Sequence, residues 1–202
     1  MGSSFVAADV ILTFQGTTSA GSANSPFRFV NGANYPTASG QGFVLNTYPN
    51  AQQVSVAATV SGANGAAGTY ALDVLEFQTA AATTVAWTVH LDVSVALVAT
   101  GVNAAYLSYC SAAPTGVPDS GVALSSGTDG NGNPWALYAP TCPAGSVESD
   151  LPLGAPGTGA VVTVPTGTAA GVSVLYISFL IAVTNTGATT STPAVMTVEA
   201  TA

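Results

Sequence analysis

The chain contains no lysine, and Arg28 is its only fixed positive charge. Charged residues make up 5% of the 202 residues, far below the roughly 25% of an ordinary globular protein. With nine acidic residues the formal net charge is -8. The absence of a basic patch argues against nucleic acid and anionic membrane as partners. No run approaches the roughly 18 uninterrupted apolar residues of a membrane span. The longest apolar stretch, residues 172–183 (VSVLYISFLIAV), is too short and is interrupted by polar residues. No ten-residue stretch shows the 3.6 periodicity of an amphipathic helix. There is no metal-type His/Cys cluster, nucleophile elbow or phosphate loop. Acid/base groups are scarce, so an enzyme is not expected and no cofactor is implied. Few groups titrate, and the sequence predicts a stability that depends weakly on pH.

What is present is apolar and alternating. Hydrophobic residues are 48% of the chain, enough at this length for a large core without metals. The low charge is therefore not the mark of disorder, which pairs high charge with low hydrophobicity. A surface built from Ser, Thr, Asn, Gln and Gly lacks the repulsion that keeps proteins monomeric.

Residues 5–15 (FVAADVILTFQ) alternate cleanly. Val6, Ala8, Val10, Leu12 and Phe14 share one face; Ala7, Asp9, Ile11, Thr13 and Gln15 share the other. A Thr/Ser/Gly/Ala stretch, residues 16–25, follows and reads as a tether. Further on, Val85, Trp87, Val89, Leu91, Val93, Val95 and Leu97 occupy successive odd positions, a long strand with one buried face. Residues 172–183 are apolar on both faces, which suits a central, covered strand. Other predicted strands are residues 27–30, 42–46, 54–61, 69–77, 105–109, 135–138, 160–164 and 195–201. Turn dipeptides separate several of them, among them Asn31-Gly32, Asn64-Gly65, Asp129-Gly130 and Thr186-Gly187. The reading is all-β: a jelly-roll-like β-sandwich over residues 26–202, preceded by an arm at 1–25. Residues 111–159, rich in proline and glycine, read as a loop-rich insertion.

Cys110 and Cys142 both lie in loop-like sequence. The pair fits one structural disulfide of an oxidising compartment, worth roughly 3 kcal/mol on the loop-entropy argument. His90, Asp92 and Ser94 share a strand face, but i and i+2 positions lie nearly 7 Å apart. Bending could bring His90 to Asp92, not both pairs together; polar residues on a wet face explain them. Asp129, Asn131 and Asn133 have the alternating oxygens of a calcium loop, yet no downstream bidentate acid, and a tight turn explains them better. No other metal site is expected. Asp73 and Glu76, three apart in a strand, should face opposite sides, poor geometry for paired acid/base work. Tyr106, Tyr109, Trp135 and Tyr138 are either a sugar-binding platform or core.

Several phrases, DVILTFQG, SPFRFVNGANYP, VSVAATVSGANG and TYALDVLEF, together resemble the secreted archaeal bundling pilins, relatives of the bacterial biofilm-matrix protein TasA. The resemblance covers roughly residues 5 to 100. It implies a jelly-roll-like domain that polymerises by donor-strand exchange, with copies of itself as the partner. It also implies residues 9–14 as the donor segment, with Val10, Leu12 and Phe14 filling the groove. On this reading the protein is an extracellular, cell-surface filament subunit of a pilus-like biofilm or adhesion fibre. The N-terminus as written has no basic region and no continuous apolar region of a signal peptide, so secretion implies mature numbering. Two other classes stand beside it: a virion jelly-roll capsid or decoration protein, and a carbohydrate-binding module using Trp135. The first strand could also pair within its own domain.

Overall fold

A computed structural model of the chain describes residues 5–16, 26–34, 43–47, 53–61, 69–99, 102–115, 118–128, 132, 134–183, 190–192 and 194–202. Among these every regular element is a strand. One sheet holds β1 (Phe5–Gly16), β3 (Phe43–Thr47), β4 (Gln53–Ser61), β6 (Trp87–Val95), β12 (Gly157–Thr158), β13 (Val162–Val164) and β16 (Ala194–Thr201). Its order is β12-β6-β16-β1-β4-β3, with β13 also on β6. The second sheet holds β2 (Phe27–Asn31), β5 (Thr69–Thr79), β8 (Val102–Cys110), β11 (Glu148–Pro152) and β14 (Ser173–Val183), in the order β11-β8-β14-β5-β2. β9 (Pro118–Thr128) and β10 (Pro134–Pro140) pair with each other, as do β7 (Val98–Ala99) and β15 (Thr190–Thr192).

The two large sheets share one core. Trp87, Val89, Leu91 and Val93 of β6 and Met196 and Val198 of β16 meet Leu107, Tyr109, Leu175, Ile177, Phe179 and Ile181 of the second sheet. Phe27 bridges the layers: its ring lies 5.2 Å from Phe77 and 5.5 Å, edge-on, from Trp87. Alternation produces this directly, because every second side chain of a strand leaves the same face. The alternation in β6 ends sooner than its sequence suggests. Val85 and Val95 are exposed, and Leu97 is only partly buried.

The double-sided pattern of residues 172–183 has a structural cause. β14 lies between β8 and β5. One face enters the sandwich core; on the other, Leu180 and Ala182 pack with Leu137 of β10. The β9–β10 ribbon thus covers the outer face of the second sheet. The segment read as a loop-rich insertion, 111–159, accordingly contains β9, β10, β11 and β12. The sequence of β9 (PDSGVALSSGT) has no apolar alternation, so pairing with β10 rather than burial makes it a strand. The disulfide forms as expected, Cys110 to Cys142 with Cα atoms 5.6 Å apart. It ties the end of β8 to the chain leaving β10, which anchors the cover. Among the described residues no helix is long and apolar enough to cross a membrane.

Candidate functional site

The first strand lies inside its sheet rather than at an edge. On one side Val10 to Gly16 run parallel to Ala194 to Ala200 of β16. On the other, Phe5 to Thr13 run antiparallel to Ser61 to Gln53 of β4. Among the described residues it is the sole link in the ladder between β16 and the β4–β3 pair. In the single chain β1 therefore pairs at home. For Val6, Ala8, Val10, Leu12 and Phe14 the backbone register is described, and their side chains lie outside the described residues. Asp129, Asn131 and Asn133 lie outside them too.

The aromatic group does not assemble as one platform. Tyr109 is fully buried in the sandwich core, and its hydroxyl donates to the Ala160 carbonyl. Burial pushes that phenol up to about 12. Gly159 is needed there, since a Cβ would collide with the Tyr109 hydroxyl. Tyr106 and Trp135 are partly buried against the Leu137–Leu180 cluster.

Two groups of ionisable residues do come together. The first is around Asp73. Leu75 opposes Ile177 but Ala71 opposes Phe179, so β5 carries extra residues between them, a bulge. Asp73 sits in that bulge at φ 47°, a left-handed conformation that Asp tolerates better than most residues. The bulge breaks simple alternation, and Leu72, Asp73, Val74 and Leu75 are all buried. The β2 turn closes over it: Gly32 N–H donates to the Val74 carbonyl at 3.1 Å, and Ala33 N–H to Asp73 Oδ2 at 3.4 Å. Gly32 has to be glycine, because a Cβ would strike the Asp73 carbonyl. Burial first, then the charge of Glu76, pushes the Asp73 carboxyl up to about 6. The charge of Glu76 thus bears on Asp73, and the bulge breaks the simple alternation on which their expected separation rested. Tyr176, opposite Glu76 in register, is raised by burial and then by both acids. Asp150, on β11, is likewise raised by burial while accepting a hydrogen bond from Ser108. The buried carboxyl of Asp73 and the partly buried one of Asp150, both raised, are the groups through which stability should respond to pH.

The second group is on the outer face of the first sheet. His90 Nε2 lies 3.3 Å from Asp92 Oδ2 and 3.7 Å from Glu199 Oε2. Glu199 is directly opposite His90 in the β6–β16 ladder. The two side-chain tips thus meet although ideal strand geometry spaces alternate positions nearly 7 Å apart. Glu199 escaped the sequence reading, because it is 109 residues from His90 and only register unites them. The signal available beforehand was its place on a strand whose neighbours Val198 and Ala200 are apolar.

No family model, curated protein or solved structure matches the chain.

Proposed function

We propose that the protein is a non-enzymatic subunit of an extracellular filament, a biofilm or adhesion fibre, in which β1 of each subunit fills the β16–β4 slot of the next. The observation that supports this reading is the position of β1. An N-terminal strand with main-chain pairing on both sides fills a slot that the same strand of another copy could fill. Withdrawing it exposes two rows of unpaired N–H and C=O groups, and an identical strand from a neighbour satisfies them equally well. Residues 17–25, small and polar in sequence, join it to β2 in the other sheet. Nine such residues span up to about 30 Å when extended. The exchanged contact is head-to-tail and does not close on itself, so it propagates a fibre. The disulfide fits the oxidising environment of an extracellular fibre.

Electron microscopy of the full chain beside a version lacking residues 1–16 tests the reading. Fibres from the full chain, none from the truncation, and fibre growth restored by joining the segment back are the expected results. A V10D/L12D protein should also form no fibres. Monodisperse particles from the full chain, or intact fibres from V10D/L12D, refute the reading. Closed shells would instead place the protein among virion subunits.

A further inference from the structure

We propose that His90, Asp92 and Glu199 bind one divalent transition-metal ion, with Zn²⁺ the representative, across the β6–β16 pair. The inference is independent of the filament reading. The three ligand atoms lie within 4.8 Å of one another. The two closest separations, 3.3 and 3.7 Å, bracket the edge of a tetrahedron with about 2.1 Å bonds, which is about 3.4 Å. Glu199, the most exposed of the three, has the freedom to close the remaining gap.

Electrostatics favours a cation here. Two carboxylates converge on one imidazole nitrogen, and no basic side chain accompanies them. Arg28, the only one in the chain, hydrogen-bonds Gln78 at 2.8 and 3.1 Å in the other sheet. A second observation points to a missing ligand. Asp92 Oδ1, the other oxygen of the same carboxylate, is buried and has no hydrogen-bond partner among the described residues. Buried polar atoms are rarely left so, and a metal that draws on both carboxylate oxygens would satisfy it. One imidazole with two carboxylates suits zinc and its neighbours, whereas calcium and magnesium prefer oxygen alone. Three protein ligands leave at least one position for water.

The test is unusually clean because His90 is the only histidine, and both cysteines are consumed in the disulfide. Equilibrium dialysis of the untagged, chelator-stripped full chain against Zn²⁺ serves fibres and single subunits alike. The expected result is one Zn²⁺ per chain, held more tightly than Ca²⁺ or Mg²⁺. H90Q and E199Q should each weaken it roughly tenfold or more, at least the loss that even outer-sphere partners cause. Co²⁺ should give visible absorption bands in the parent chain, a readout that does not depend on any variant's stability, and H90Q should abolish them. Absence of binding below millimolar Zn²⁺, preference for Ca²⁺, or undiminished binding in either variant would overturn the assignment.

Discussion

The outer faces of the two large sheets were dealt similar strands and met opposite fates. On the second sheet, Leu180 and Ala182 are buried against Leu137 of the β9–β10 ribbon, which the disulfide anchors, and Ser108 and Ser178 are buried as well. On the first, Thr88 and Ser94 of β6 are exposed, and His90 and Asp92 are half-exposed. The contrast teaches what burial does to polar groups. On the second sheet the buried hydroxyls find partners within the protein: Ser178 accepts from the Asp73 N–H at 3.0 Å, and Ser108 donates to Asp150. On the open face, charged groups keep their solvent and remain available to a ligand.

The contrast breaks most directly through truncations on each face. Phe179→Ala, inside the sandwich, should cost about 3–5 kcal/mol. Leu180→Ala, under the ribbon, should cost about 2–4 kcal/mol. Urea denaturation measures both; a loss below about 1 kcal/mol at Leu180 would show that the ribbon is not a true second core. Severing the anchor is next. Replacing Cys110 and Cys142 by serine should lower stability by about 3 kcal/mol through the reopened loop, and limited proteolysis should then cut first within residues 111–147.

A smaller effect is electrostatic. Asp73 has a folded value of about 6 against an ordinary 3.8. The folded state therefore binds more protons between those values, so stability is greatest below about pH 4 and falls as pH rises through 6, by on the order of 2 kcal/mol. Asp150 contributes in the same direction. Asp73→Asn, which tolerates the same backbone conformation, should raise the melting temperature at pH 7.5 and flatten the acid limb. An unchanged pH profile would refute the role given to Asp73. At the other extreme, Tyr109 keeps its proton to about pH 12, so stability should fall again as alkali ionises it in the unfolded chain. Smallest of all, His90→Gln on the open face should stay within about 0.5 kcal/mol of the parent in metal-free buffer. A larger loss would mean that His90 supports the fold itself.

Much of the fold was legible in local pattern. The strands at residues 27–30, 54–61 and 195–201 fall within a residue or two of β2, β4 and β16, since a buried face imposes a period of two on the sequence itself. The Cys110–Cys142 bridge was legible because the chain offers no other pairing. β9 was not, because it has no alternating buried face and borrows its shape from β10. Nor was the bulge at Asp73, where extra residues in β5 are seen only against the partner strand.

By itself, then, the sequence determined the all-β class, the paired cysteines, the sparse charge and the amphipathic first strand, properties read from composition or from a few neighbouring residues. The tertiary structure alone decided which strands adjoin. It set β1 between β16 and β4, covered one sheet and left the other open, and drew Glu199 to His90. Register is a relation between distant segments, settled by the packing of the whole core, and no local pattern carries it.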